Sequence, residues 1–293
     1  MRDQATNLRN IMQNRKGSTK SVNLTDTRIL AITSGKGGVG KTCIAVNLAI
    51  AFKRLGKRVL IIDADLGLGN VDIILGIHTK YNLSHVISGN IAIADAIVET
   101  PSGILVLPGG SGLLHIADID PTSLKRFLQQ LAQIRDLADI IIIDTGAGIS
   151  SRNLKLTLAA SEVILVTTPE PTSLMDAYGI VKVALSTRNK IDFKLIMNMV
   201  DDVKDANAAI ENFIRAGKQF LDVKIVKLGL IEHDLAIGRS IRHQSPFILQ
   251  YPQSKASLQI KNIANILLGG HHKAEDKGMR TYISRLFSLL SKK

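Results

Sequence analysis

The residue pattern with the clearest chemistry is a glycine-rich loop at positions 35–42, which reads Gly-Lys-Gly-Gly-Val-Gly-Lys-Thr. It has the form G-x-x-x-x-G-K-[ST], in which backbone N–H groups wrap a phosphate and glycines keep side chains out of its way. A buried strand is expected before the loop, at residues 28–34, and a helix after it, at residues 43–55. The pattern predicts phosphate binding by Gly35, Lys36, Gly37, Gly38, Val39, Gly40, Lys41, Thr42 and Cys43.

A pair of acidic residues, Asp63 and Asp65, follows the apolar strand expected at residues 58–62. Side chains alternate along an extended segment, so both carboxylates should point to the same side. Two neighbouring carboxylates repel each other unless a cation or bound water offsets their charge. A magnesium nucleotide would supply that charge, and the alternative is a pair of solvated loop aspartates.

A third acidic residue, Asp144, directly follows the apolar run at residues 140–143. This arrangement is typical of a segment that senses a metal ion beside a phosphate. We expect Asp144 to reach the metal through water, because Mg2+ keeps much of its hydration shell. Gly146 would let the backbone approach a γ-phosphate and move when that phosphate leaves.

Strand and helix patterns alternate along the rest of the chain. Further buried strands are expected at residues 104–107, 162–168, 193–199 and 224–229, and further helices at 122–135, 173–186 and 206–220. The alternation predicts an α/β fold with a doubly wound, mostly parallel sheet flanked by helices. Ligands of such sheets bind at the carboxyl ends of the strands, where the glycine-rich loop would lie.

The chain is expected to have three parts. A polar N-terminal segment covers residues 1–27, a nucleotide-binding domain covers 28–268, and a polar linker with a terminal amphipathic helix covers 269–293. The single cysteine, Cys43, excludes a disulfide framework and a CxxC site formed within the chain. Neither an apolar run of about 18 residues nor a signal-peptide pattern is present, so we expect a protein of the cytoplasm.

Charge and apolar residues at the C-terminus favour a membrane surface as a partner. The net charge is +12, and residues 1–28 and 271–293 each contain six basic and two acidic residues. At 100° per residue, the apolar side chains after residue 278 fall on one arc of a helix. Such a helix beside basic residues is typical of an anchor on anionic lipid, whereas DNA binding is disfavoured. The alternative is that this helix docks on its own core. The membrane-facing residues would be Tyr282, Ile283, Leu286, Phe287 and Leu290.

The stretch at residues 34–42, with a second lysine early in the loop, resembles the MinD/ParA group of P-loop ATPases. The resemblance implies ATP and Mg2+ as cofactors and an ATP-bound, face-to-face homodimer. It implies that Lys36 reaches the partner's phosphates, while Lys41 binds those of its own subunit. Thr42 would bind the metal directly. Lysine charge close to the transferred phosphate stabilises the transition state.

The acidic segments and one asparagine also resemble those of the MinD group. By this resemblance Asp65 orients the attacking water, Asp63 supports the metal shell, and Asn70 helps to hold the intervening segment. Asn198, near the end of an expected strand, would read the adenine base, because an amide both donates and accepts hydrogen bonds. Residues 229–234 and 246–252 resemble the loops on the adenine side of the site.

The N-terminal residues resemble the activator segment of one branch of that group, the FlhG (FleN, YlxH) flagellar-number ATPases. The pattern is Asp-Gln-Ala…Leu-Arg at residues 3–9. The resemblance implies docking on the GTPase FlhF and stimulation of its GTP hydrolysis, with Gln4 as the activating residue and Leu8 as an apolar anchor. It also implies flagellar basal-body and C-ring proteins as partners. The expected contact residues are Asp3, Gln4, Ala5, Leu8 and Arg9.

The patterns together predict an ATP-hydrolysing protein that dimerises, attaches to the inner face of the bacterial cell membrane and controls flagellar number or placement. One alternative is a MinD-type division-site regulator, against which the N-terminal pattern argues. Another is a ParA-like DNA-segregation ATPase, which would use the positive charge to hold DNA. A third, a scaffold that binds ATP without hydrolysing it, is disfavoured by the lysine and acidic residues of the site.

Overall fold

A computed structural model describes residues 27–65, 69–110, 121–188, 191–269 and 278–291 of the chain. In these residues one eight-stranded sheet has the order β3-β4-β2-β5-β1-β6-β7-β8. The strands are β1 (Arg28–Thr33), β2 (Val59–Asp63), β3 (Val98–Glu99), β4 (Leu105–Leu107), β5 (Ile140–Asp144), β6 (Glu162–Thr167), β7 (Asp192–Val200) and β8 (Ile225–Glu232). All neighbours pair in parallel except β3, which is antiparallel to β4. The predicted doubly wound α/β fold is confirmed.

Helices cover both faces of the sheet, which explains the apolar composition of the central strands. The helices are α1 (Lys41–Arg54), α2 (Val71–Leu75), α3 (Leu83–Ile87), α4 (Ile93–Ala96), α5 (Pro121–Gln133), α6 (Ser151–Ala159), α7 (Pro171–Thr187), α8 (Val203–Leu221), α9 (Leu235–Arg242), α10 (Phe247–Gln250), α11 (Lys255–Gly269) and α12 (Met279–Ser291). One face packs against α1, α10 and α11, and the other against α3 to α8 and α12. Strands buried on both faces do not need alternating polarity.

The register of the central strands brings their acidic ends together. Every residue of β2 and of β5 is buried. Asp144 at the end of β5 lies opposite Asp63 of β2 on one side and Ile32 of β1 on the other. Because β1 leads directly into the glycine-rich loop, the parallel register places that loop beside both carboxylates.

The elements that sequence patterns did not predict are short or lack a clear period. Strand β3 has two residues and pairs antiparallel only with β4 among the described strands. Helices α2, α3, α4 and α10 have four or five residues each. The division into three parts stays a prediction, because residues 1–26 and 270–277 lie outside the described residues.

The C-terminal helix α12 docks on the core of the protein. Tyr282 and Leu286 are 2% and 1% exposed, in one apolar cluster with Leu156 and Ala159 of α6. Phe287 points away and is 49% exposed. Docking, the alternative to a free anchor, is therefore the arrangement in this structure. No helix in the described part of the chain is long and apolar enough to cross a membrane.

Candidate nucleotide-binding site

The glycine-rich loop lies at the carboxyl edge of the sheet, between β1 and α1. Gly38 and Gly40 have φ angles of 80° and 90°, in the left-handed region that favours glycine. A Cβ on Gly40 would also collide with the side-chain nitrogen of Asn198. Gly40 is the N-cap of α1, and as a glycine it has no side chain with which to cap this helix end. The end of α1 therefore presents backbone N–H groups and a positive dipole to an anion.

Asp63 and Asp144 are buried together beside this loop, and each is 1% exposed. The carboxylate of Asp63 accepts hydrogen bonds from the backbone N–H of Asp65 at 3.1 Å and of Val71 at 3.3 Å. Within the described residues, no donor reaches either carboxylate oxygen of Asp144 in hydrogen-bond geometry. A buried carboxylate with open acceptors fits a magnesium ion or its water shell. The residues present therefore suit the metal that the sequence predicts.

The pKa values of these groups are shifted by burial and by the charges of their neighbours. Burial, followed by the charge of Asp144, raises the pKa of Asp63 to about 8. Burial raises the pKa of Asp144 to about 7, although the hydroxyl dipole of Thr42, which does not reach hydrogen-bond geometry, and the charge of Lys41 both lower it. Burial lowers the pKa of Lys41, while Asp144 and Asp65 raise it. A cation at this point would favour the ionised form of both carboxyl groups.

The segment after β5 is hydrogen-bonded to neighbouring elements on two sides. Thr145 Oγ1 donates to the carbonyl oxygen of Ile32 at 2.9 Å, and the Gly148 N–H donates to that of Ser34 at 2.9 Å. On the other side, Asn153 Nδ2 of α6 donates to the Ala147 oxygen at 2.9 Å. These hydrogen bonds link the segment to the end of β1 and to α6.

Asn153 is a residue of the site that the sequence reasoning missed. It is 4% exposed, and a Cβ on Gly146 would approach its side-chain nitrogen to 2.9 Å. Its backbone N–H donates to the Ser150 hydroxyl at 3.3 Å, which caps α6. A serine such as Ser150 is a favoured N-cap residue and so a helix-start signal, but that signal does not reveal the contact of Asn153 with Ala147.

A cavity of about 290 Å3 lies beside the glycine-rich loop, at the carboxyl ends of β7 and β8. Asn198 is 6% exposed, and its Nδ2 donates to the Val39 oxygen at 2.8 Å. The predicted adenine-side segments contribute Ile231 to Asp234 and Phe247 to the lining. Ile237 and Ile241 of α9 and Met199 of β7 also line the cavity, and the sequence reasoning did not single them out.

The other residues that the sequence predicts for the site differ from one another in burial. Lys41 is buried in the loop, whereas the side chain of Lys36 is 46% exposed and pairs with Glu170. Asp65 is half-buried, and its charge acts on Lys41, whereas Asn70 is an exposed residue that precedes α2 and does not cap it with its side chain. The five predicted N-terminal contact residues, at positions 3–9, lie outside the described residues. The individual roles of all these residues stay predictions.

Comparison with known proteins decides the family. A family model described as ParA, NUBPL iron-transfer P-loop NTPase, matches residues 26–268. The chain belongs to the MinD/ParA family of P-loop ATPases. The words iron transfer belong to that description, and this chain, with Cys43 as its single cysteine, has no CxxC pair of its own.

Relatives within this family include flagellar proteins. The chain is 35% identical to the antiactivator FleN of Pseudomonas aeruginosa over 237 residues, which cover 81% of this chain and 85% of FleN. It is 33% identical to the flagellum site-determining protein YlxH of Helicobacter pylori, with 99% and 100% of the two chains covered. These matches confirm the predicted FlhG/FleN type of MinD/ParA ATPase.

Solved structures with a similar fold also belong to MinD proteins. The structure of the septum site-determining protein MinD of Pyrococcus horikoshii, complexed with Mg-ADP, matches with a TM-score of 0.69 and 28% identity. The match covers 82% of this chain and 95% of that MinD. The MinD of Pyrococcus furiosus matches with a TM-score of 0.70 and the same identity.

Proposed function

We propose that this chain is a Mg2+-dependent ATPase that dimerises on binding ATP, attaches to the membrane and controls flagellar number or placement together with FlhF. The main support for ATP hydrolysis is the buried carboxylate of Asp144 beside Lys41 and the glycine-rich loop. Among the described residues, no donor is hydrogen-bonded to its two oxygens. The names of the relatives FleN and YlxH support the flagellar part.

The reaction is transfer of the γ-phosphoryl group of ATP to water, which gives ADP and phosphate. The loop N–H groups and Lys41 bind the phosphates, and Asp65, whose charge acts on Lys41, orients the water. Thr42, Asp63 and Asp144 would hold Mg2+, which supplies positive charge to the phosphate oxygens when it is bound. Charge placed in advance around the phosphate lowers the barrier without reorganisation during the reaction.

A second copy of the chain would complete the site. The side chain of Lys36 is 46% exposed, and in a dimer it would reach phosphates of the facing subunit. Two apolar side chains nearby are also open to solvent: Ile149 is 47% exposed and Met175 is 70% exposed. Exposed apolar residues around a charged site favour a protein partner. Because Lys36 would act across the interface, hydrolysis would depend on dimerisation.

Membrane attachment would use helix α12 in a second, released position. In the docked position Tyr282 and Leu286 are buried and unavailable to lipid. The helix rests on α6, which begins directly after the segment that Asn153 fastens to the site. Dimerisation that shifts this segment would loosen α12. Two short helices in one dimer bind a membrane far better than one, because the second binds at high effective concentration. The dimer would thus lie on the inner face of the cell membrane and the monomer in the cytoplasm.

The flagellar role would require contacts outside the ATPase core. The N-terminal residues 3–9 would dock on FlhF, with Gln4 stimulating its GTP hydrolysis. Basal-body and C-ring proteins would be further partners. The similarity to YlxH, which covers 99% of this chain, supports a flagellar role for the chain as a whole.

Two measurements test the proposal. The first is ATP hydrolysis by the full chain over a range of protein concentrations, in Mg2+ and in EDTA. We expect a rate per molecule that rises with concentration and disappears in EDTA. A rate equal to that of Lys41→Ala in all conditions would overturn the catalytic claim.

The second measurement is GTP hydrolysis by FlhF with and without a peptide of residues 1–20. We expect stimulation by the peptide and none by its Gln4→Ala form. Equal rates with both peptides would remove the support for the FlhF partnership. Retention on DNA that decreases steeply with salt would instead favour the ParA-like alternative.

A further inference from the structure

Strand β7 ends in an irregular segment next to the cavity. Met199 has a φ angle of 56°, which is unfavourable for a residue with a Cβ. The pairing of β7 with β8 shifts register between Met197 and Val200, as in a β-bulge. Two other described non-glycine residues have positive φ, Asp222 and Gln244, but both follow helix ends, where this conformation is common. Met199 is thus the described non-glycine residue whose positive φ lies within a strand rather than at a helix end.

The irregularity has a clear geometric consequence. In a regular strand, successive side chains point to opposite faces of the sheet. Here Asn198 and Met199 are consecutive and both line the cavity. The bulge is held in place by the His233 N–H, which donates to the Val200 oxygen at 2.9 Å. The fold therefore maintains an unfavourable backbone conformation that brings a second side chain to the cavity wall.

The chemistry of the cavity suits a flat aromatic group. Most of its lining is apolar: Met199 faces a space also lined by Ile231, Ile237, Ile241 and Phe247. Gly38 and Gly40 form the side that faces the phosphate loop. A methionine is flexible, and its sulfur makes favourable contacts with aromatic rings. Met199 is 41% exposed, so a ring in the cavity could bury a large part of it.

We propose that Met199 determines affinity for the base of the nucleotide, by covering one face of the ring, and that the bulge at the end of β7 serves to place it there. This inference rests on the proposed function, because the base is that of ATP. Asn198 would contact the edge of the base and Met199 its face. The backbone conformation is then a cost to folding that is recovered when nucleotide binds.

The test compares Met199→Gly and Met199→Leu in the full chain. Glycine removes the side chain and also the unfavourable φ, so the unfolding temperature without nucleotide should stay equal to that of the wild type or rise. The dissociation constant for Mg-ATP should increase about tenfold. Leucine keeps an apolar side chain on the same backbone and should recover most of the affinity.

A second ligand separates a base contact from a general structural role. Magnesium tripolyphosphate carries the phosphates without a base, so Met199→Gly should bind it as the wild type does. The inference is overturned if Met199→Gly binds Mg-ATP with unchanged affinity, or if it loses ATP and tripolyphosphate equally. A wild-type chain that binds neither ligand would instead overturn the proposed function itself.

Discussion

Lys36 and Glu170 form an ion pair within one chain, with Lys36 Nζ 2.8 Å from Glu170 Oε2. Glu170 directly precedes α7, and it is the main cause that raises the pKa of Lys36, with a smaller effect from Asp176. Both side chains are open to solvent, 46% and 62% exposed, so the pair contributes little to stability. Lys36 is therefore held at the surface, away from the buried Lys41, by an ion pair with Glu170 that can break easily.

The different positions of the two lysines lead to a prediction for their alanine variants. Lys36→Ala should bind Mg-ATP with nearly wild-type affinity but lose at least tenfold in hydrolysis, because its charge is needed only in the dimer. Lys41→Ala should lose ATP binding itself. Calorimetric titration and steady-state hydrolysis measure the two effects, and Glu170→Gln is the control for folding. Full-rate hydrolysis by Lys36→Ala would contradict the role across the interface.

The buried carboxyl groups make stability without nucleotide dependent on pH. Asp144 has a pKa of about 7 in the folded protein against 3.8 ordinarily, so it binds its proton more tightly when folded. Its contribution to stability is complete below pH ~4 and is lost as the pH rises through about 7. Asp144→Asn should therefore be more stable than the wild type at pH 8, by up to about 4 kcal/mol, when no nucleotide is present.

The same variant tests the metal. Unfolding temperatures with ATP in Mg2+ and in EDTA should differ for the wild type and coincide for Asp144→Asn, since the carboxylate that suits the metal is gone. Asp201→Asn, at an exposed position, is the matched control and should behave as the wild type in both respects. A Mg2+ effect that survives in Asp144→Asn would show that this carboxylate is not needed for the metal.

Sequence patterns were sufficient for the parts of the site that come from local order. An apolar run such as 140–143 predicts a buried strand, and the parallel register then places Asp144 beside Asp63. The glycine-rich loop could be predicted because its φ angles and its close approach to phosphate restrict residue choice within eight positions. In each case the physical constraint acts along a short stretch of chain.

The contacts that sequence did not predict join distant stretches. Arg28 and Glu162 are 134 residues apart, and the pattern around neither residue indicates the other. The bulge that positions Met199 depends on how β7 pairs with β8, and docking of α12 depends on the surface of α6. An amphipathic helix has the same apolar arc whether it packs on protein or on lipid, so its sequence alone could not decide between them.

Glu162 connects three strands at the end of the sheet opposite the loop, and its charge should matter for acid stability. It is fully buried, and its carboxylate accepts from Arg28 at 2.6 and 2.7 Å and from Lys194 at 2.8 Å. Burial alone would raise its pKa, but these two cations lower it to about 2. Its contribution to stability is therefore complete above pH ~4.5 and lost as the pH falls through about 2.

Glu162→Gln should then reduce the free energy of unfolding at pH 7 by about 3 kcal/mol, because the largely buried Arg28 loses its counter-charge and Lys194 keeps only its ion pair with Asp192. The difference from the wild type should shrink as the pH falls from 4.5 towards 2. Urea unfolding at several pH values measures both effects. Asp222→Asn, which removes the exposed ion pair with Lys218, is the control and should change neither. A loss in Glu162→Gln that is independent of pH would indicate a packing defect instead.

Variants of two adjacent residues of α12 should distinguish docking of this helix on the core from its binding to lipid. Leu286 is 1% exposed and Phe287 is 49% exposed. Leu286→Ala should lower the free energy of unfolding by about 2–4 kcal/mol, because it leaves a cavity between α12 and the sheet. Phe287→Ala should leave stability unchanged but weaken binding of the ATP-bound protein to anionic vesicles several-fold, since the ring would enter the interface. Urea unfolding and vesicle co-sedimentation measure the two effects. A chain truncated to residues 1–278, which lacks α12, is the control for vesicle binding. If Phe287→Ala binds vesicles as tightly as the wild type and the truncated chain does not bind, the lipid contact lies elsewhere on the helix. If the truncated chain binds as well as the wild type, α12 serves only to cover the core.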